Sequence, residues 1–365
     1  MRPVSRRQVL GSRVRAQQLD RRAGTVADTA VLDQGVQDTG TDGARWALAL
    51  RGVDPATVGR DELALAWTLR GAPHLYRRAD LPAVAAATAP FSEADAGKRI
   101  YDAAKPLRAA GISVVDALDR IADRMREIVS APTVKGEVSA RLTAVLEPPY
   151  LRDCVPCGAV HPWEMPFRLA ALRAGLELEE GTSPPVLRPV DGLVPAGAAP
   201  RRFDVVHGSL QLLGPATPQH VAGLLDAPVA DVKARWPHDA VEVDVEGERR
   251  WLLAEDADRL DDDVPEGVRL LGPYDLFLQG RDRALVVPDA ARAKDLWRTL
   301  GRPGAVLADS ELAGTWRARK AGRQLTVTVQ AWQPLPPGLR ERIGEQAERL
   351  AAFRGLSLRA LELVD

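Results

Sequence analysis

A chain of 365 residues with 45% hydrophobic side chains has room for two or three domains and enough apolar mass for a sizeable core, which excludes global disorder. Its formal net charge of −1 excludes a whole-molecule field that would draw in nucleic acid, so any such binding must come from local patches. Two cysteines are too few for a disulfide-held secreted fold, and no apolar run reaches membrane-spanning length, so the expected setting is cytoplasmic with no membrane partner.

The N-terminal run Ser5–Leu10 superficially matches a twin-arginine export signal, but the basic Gly11-Ser12-Arg13-Val14-Arg15 follows where an apolar stretch is required. The run reads instead as a helix over residues 5–22, with Ser5 as N-cap and Gln8 completing a capping box. Residues 1–22 carry seven arginines against one acid, Asp20. That is either a solvated charged face or a phosphate-contacting one, to which Arg6 and Arg13 would belong. Helices are predicted over 42–53, which holds Arg45, and 58–66, followed by short strands at 67–71 and 74–77. Helices followed by a hairpin give the outline of a winged helix, with Arg70, His74, Arg77 and Arg78 on the hairpin as candidate phosphate or groove contacts.

Val114, Leu118, Ile121, Met125 and Ile128 keep the helical period over 113–131, and two further helices start at Pro132 and Pro162. Between them Cys154-x-x-Cys157-x-x-x-His161 has ligand-like spacing. Zinc in a structural site takes four ligands and only three are visible, so the expectation is no metal and no cofactor, with this trio as the one candidate. Residues 180–202 are rich in Pro and Gly and read as a linker or irregular crossing.

The clearest module is 203–254: three short helices, the second capped by Thr217-Pro218, then an alternating hairpin turning at Glu246-Gly247. This is the winged helix-turn-helix plan. Its hairpin carries Glu242, Asp244, Glu246 and Glu248, which would repel phosphate, so the module is expected to be scaffold. Beyond it, apolar runs at 268–271, 284–287, 305–307, 314–317 and 325–329 read as strands of a small antiparallel barrel or sheet, and 336–353 as a final helix.

Several stretches, in this order and spacing, resemble the AlkZ/YcaQ-like winged-helix DNA glycosylase family. They are Ser5–Leu10 through Arg22, Gly35-Val36-Gln37-Asp38-Thr39, Trp67–Leu75, Cys157–His161, Tyr274–Leu278 with Arg281-Asp282-Arg283, and Gly314-Thr315-Trp316. The resemblance implies an α+β fold: three tandem winged helix-turn-helix units around a concave, DNA-sized cleft, with a small β-rich C-terminal subdomain. The expected boundaries are 1–90, 91–180, a linker at 181–202, 203–260 and 261–365. It implies double-stranded DNA as partner and monofunctional hydrolysis of the N-glycosidic bond of alkylated purines. The family's short Gln-apolar-Gln or Gln-apolar-Asp motif falls on Gln37-Asp38-Thr39, with Gln37 and Thr39 as the catalytic pair. Thr39 stands where a glutamine or aspartate is expected, and Asp38 replaces the small middle residue. The alternative is therefore a non-catalytic winged-helix DNA-binding protein, regulatory or protective.

Overall fold

In a computed structural model, residues 1–40, 42–59 and 61–364 are described. Among these residues helices pack around four sheets, of six, five, three and two strands.

The six-stranded sheet is antiparallel throughout and runs in the order Val36–Gln37, Pro73–Arg77, Leu63–Trp67, Leu176–Leu178, Val186–Pro189, Thr133–Val134. A helix was expected over 58–66, but Leu63–Trp67 is a strand with all five residues buried. A strand covered on both faces shows no alternation, so its apolar run carries no period to distinguish it from a helix. The hairpin expected as an exposed wing is thereby the middle of this sheet. The segment expected as linker supplies the strand Val186–Pro189. Helices Val114–Ile128 and Glu164–Arg173 pack on this region, burying Leu118, Ile121, Met125 and Phe167 in one core with Leu65, Trp67 and Leu75.

The chain's first strand, Arg2–Val4, lies parallel to Ala240–Val245, which forms a hairpin with Glu248–Leu253. The turn residues Glu246 and Gly247 have φ of 52° and 90°, as the right-handed twist of a two-residue hairpin demands. Preceding that hairpin are helices Val205–Leu213, Pro218–Leu225 and Val229–Ala234. Asp204 accepts hydrogen bonds from the Val206 and His207 amides, and Thr217 and His220 cap the next helix reciprocally. Val221, Leu225, Val232 and Leu253 close over Leu81, Val84 and Leu172, far away in sequence.

The helix Arg6–Ala16 begins with the expected Ser5–Gln8 capping box. Its Leu10 and Val14 join a core with Val306, Trp316, Val327, Ile343 and Leu350. These come from the five-stranded sheet Val268–Leu271, Gly304–Ala308, Glu311–Ala321, Gln324–Ala331, Ser357–Val364. Its last strand runs parallel to Gln324–Ala331, reached through the helix Pro337–Phe353. The strand expected at 284–287 is instead a helical turn, Arg283–Val286. It follows Asp282, whose carboxylate is fixed between the buried Arg13 and Arg250. Burial pushes that carboxyl up, yet the two guanidinium groups hold it down to about 2. Among the described residues no helix is long and apolar enough to cross a membrane.

Candidate nucleic-acid interface and cleft

The segment around Gln37 is built by its neighbours. Gly35 has a φ of 85°, and a Cβ there would run into the Tyr76 ring. Val36 and Gln37 then pair with Leu75 and His74, and the Asp38 amide donates to the Pro73 carbonyl at 2.8 Å. The side chains diverge. The Gln37 Oε1 accepts from the Arg70 guanidinium at 3.1 Å. Asp38 accepts from the Ala44 amide at 2.9 Å, clasping the start of the helix Gly43–Ala49, and burial pushes its carboxyl up. Thr39 faces an open cleft.

That cleft has a volume of about 870 Å³. One wall is Thr39, Gly40, Asp42 and Gly43 with Arg45 and Trp46. The other is Tyr274, Arg302, Arg317 and Lys320 of the C-terminal sheet and its loops. Buried contacts tie the walls together. Trp46 Nε1 donates to the Leu270 carbonyl at 2.8 Å. Arg51 and Asp275 form a bidentate pair at 2.8 and 3.0 Å, with both side chains at most 1% exposed.

The cations on the cleft fall into two groups. Arg45 is bidentate to Glu180, and Arg354 to Asp42, so each has its counter-charge. Arg302 stacks over the Tyr274 ring with 4.8 Å to its centroid. Among the described residues Arg302, Arg317 and Lys320 have no carboxylate partner within 4.0 Å. Arg317 and Lys320 are exposed and lead into the hairpin tip at Gly322-Arg323, with Arg319 beside them. This basic hairpin was missed in the sequence, although Arg317-Ala318-Arg319-Lys320-Ala321-Gly322-Arg323 is a dense basic run. The strand expected over 314–317 takes in only the first arginine of this run, because an isolated charge run does not say which wall of a fold it will occupy.

The arginines singled out from sequence are placed differently, and most have another task. Arg13 is 1% exposed and spent on Asp282, so its guanidinium has no access to a phosphate. Arg6 reaches the Leu285 and Val286 carbonyls and pairs with Glu311. Arg77 is buried against Asp33 and the Val26 and Thr29 carbonyls. Arg78 pairs with Glu177. His74 is buried, within 3.1 Å of the Thr68 hydroxyl and 2.9 Å of the Ala72 carbonyl. Burial, with Arg70 nearby, pushes its imidazole down to about 3, so it stays neutral. These groups turned inward because hydrogen-bonded acids and carbonyls satisfied them there, a choice composition does not display.

Arg70 is the exception with a link to Gln37. Its backbone is left-handed, with φ 57°. Its guanidinium gathers Gln37, Gln279 and the Leu224 carbonyl, and Gln279 Nε2 in turn donates to the Tyr274 carbonyl at 2.7 Å. A polar chain thus runs from Gln37 to Tyr274 on the cleft. Burial, reinforced by Arg281, lowers the Arg70 guanidinium to about 10, which leaves it charged at neutral pH. The trio Cys154, Cys157 and His161 lies elsewhere, on the two-stranded hairpin Leu151–Cys154 and Ala159–Pro162.

Comparison with known proteins adds to this geometry. A family model described as "DNA glycosylase AlkZ-like" matches residues 27–353. A solved structure, the Streptomyces sahachiroi DNA glycosylase AlkZ, is similar with a TM-score of 0.76 over 100% of both chains at 22% sequence identity, a likeness of fold. No curated protein matches.

Proposed function

The chain belongs to the AlkZ-like DNA glycosylase family, and from that premise we propose that it binds double-stranded DNA in the cytoplasm and excises alkylated purines by monofunctional hydrolysis. The observation that carries this reading is the open cleft with Thr39 on one wall and, on the other, Arg302, Arg317 and Lys320, which hold no ion pair among the described residues. Cations without counter-charge gain most from phosphate, because no ion pair must be broken first. In this reading the three helices and hairpin at 205–253 are a winged helix-turn-helix unit serving as scaffold, since its hairpin is acidic and occupied by Arg2–Val4. The expected subdivision into three such units is part of the same proposal.

The chemistry asks little of the protein. A purine alkylated at N7 or N3 already carries positive charge, so the electron pair of the breaking C1′–N bond leaves with the base and neutralises it. The sugar becomes oxocarbenium-like, and a water oxygen forms the new bond to C1′ while its proton passes to solvent. What helps is a positioned water and nearby negative charge. Gln37 would hold that water. Its carbonyl oxygen has two lone pairs; Arg70 takes one and fixes the side chain's direction. Thr39 lines the cleft and Gln37 does not, so sharing that water requires the Thr39 hydroxyl and the Gln37 amide to converge when DNA binds; Asp42 on the Thr39 wall supplies a carboxylate, partly offset by Arg354.

A specific observation favours the second reading, a non-catalytic DNA-binding protein. Among the described residues the one charge hydrogen-bonded to Gln37 is the positive Arg70, which opposes an oxocarbenium, and Thr39 brings none. The two readings separate on duplex DNA containing N7-methylguanine, treated with alkali after incubation. Excision predicts strand breaks at the lesion, reduced about 100-fold by Gln37→Ala. Tight duplex binding with no breaks above the Gln37→Ala background would leave only the non-catalytic reading.

A further inference from the structure

The hairpin Leu151–Cys154 and Ala159–Pro162 stands apart from the cleft, and its composition poses a physical question. Two four-residue strands are marginally stable alone. Val155 at the tip is 86% exposed and Val160 52%, so apolar packing contributes little there. What the tip does hold is a cluster of donors. Cys154 pairs with Ala159 and Arg152 with His161 across the hairpin. The single helical turn Val155–Cys157 brings the second cysteine back over the first, and Gly158 closes it with a left-handed φ of 60°. One donor atom each from Cys154, Cys157 and His161 lies within 4.8 Å of both others.

That spacing is close to what a tetrahedral ion needs. Zinc–sulfur bonds of about 2.3 Å and zinc–nitrogen bonds of about 2.0 Å set donors roughly 3.3–3.8 Å apart, so the three donors would draw in from the 4.8 Å within which they lie. The imidazole is already oriented. His161 Nδ1 lies 2.8 Å from the Pro162 carbonyl, which accepts its proton and leaves the Nε2 lone pair as the ligand. A metal-binding histidine is characteristically fixed in this way by its other nitrogen. Two thiolates and an imidazole are a soft and borderline donor set that suits zinc rather than calcium or magnesium.

We propose that Cys154 Sγ, Cys157 Sγ and His161 Nε2 bind a zinc ion that clasps the tip of this hairpin; unlike a closed structural site of four protein ligands, it keeps water in the fourth position. The ion supplies the cross-link that the apolar contacts do not. The site lies outside the cleft, so the inference stands whether or not the chain excises bases.

The test uses the full chain, reduced and stripped of metal, titrated with cobalt and then zinc. The expected result is thiolate-to-cobalt charge-transfer absorption saturating at about one equivalent, reversed by zinc. Cys157→Ser should remove much of that absorption, and His161→Ala should weaken zinc binding by roughly tenfold or more. Cys157 is exposed, so Cys157→Ser should keep the wild-type circular dichroism spectrum. Three results would overturn the proposal. One is a reduced, natively folded chain that takes up neither metal at micromolar concentration. Another is uptake unchanged in both variants, and the third is a Cys154–Cys157 disulfide that re-forms after reduction in place of metal binding.

Discussion

Arg317→Glu combined with Lys320→Glu is expected to lower duplex affinity on the order of 100-fold without disturbing the fold. Both side chains are exposed and, among the described residues, neither holds an ion pair, so no ion pair is broken. Opposing like charges cost several kcal/mol at an interface, and about 1.4 kcal/mol is a factor of ten. The salt dependence gives a second readout. Each phosphate contact contributes about 0.9 to the slope of log affinity against log salt, so the double variant should flatten that slope by nearly two contacts' worth. Reversing Glu242 and Glu248 on the acidic hairpin to lysine should leave binding nearly unchanged. Fluorescence anisotropy of a labelled duplex over a salt series checks all three statements.

The second large effect concerns stability. Asp275→Ala strands the Arg51 guanidinium in the interior, where both partners are at most 1% exposed, and should cost about 3–5 kcal/mol. Arg51 would keep hydrogen bonds to the Ala47 and Gln17 carbonyls, but these do not neutralise it. Asp275 also caps the short turn Leu276–Leu278 through the Phe277 amide. Replacing both partners with apolar residues of similar volume, Arg51→Met with Asp275→Leu, should cost less than Asp275→Ala alone, because no bare charge remains. Urea unfolding curves decide this. A double variant as unstable as the single one would show that the charge is not what the pair is there to balance. Because the pair joins the helix that bears Arg45 and Trp46 to the loop that bears Tyr274, its loss should also loosen the cleft.

The parts of this arrangement that sequence discloses are the local ones. The Ser5–Gln8 box and the Thr217-Pro218 start are written in adjacent residues, and each helix begins where those residues say. The amphipathic spacing of Val114 to Ile128 likewise survives folding, because one face of that helix meets the core. What sequence conceals is non-local. Leu63–Trp67 is apolar at every position because both its faces are covered. Arg2–Val4 pairs with a strand some 240 residues later, a partner no window reveals. The arginines expected on DNA are the sharpest case. Arg13, Arg77 and Arg78 differ from Arg317 in being drawn inward, with Asp282, Asp33 and Glu177 folded against them, and those acids lie 44 to 269 residues away. Charge alone could locate arginine; only the fold shows which arginines are left over.

Duplex DNA is proposed to lie in the cleft between the wall of Thr39, Gly40, Asp42, Arg45 and Trp46 and the C-terminal sheet. Peptide-level hydrogen exchange with and without saturating duplex tests it directly, with no substitution required. Slowed exchange is expected in the peptides spanning 39–46, 272–274, 299–304 and 315–323, with no change in the acidic hairpin at 240–253. Protection confined to that acidic hairpin or to the helix Val229–Ala234, with the cleft peptides unchanged, would contradict it.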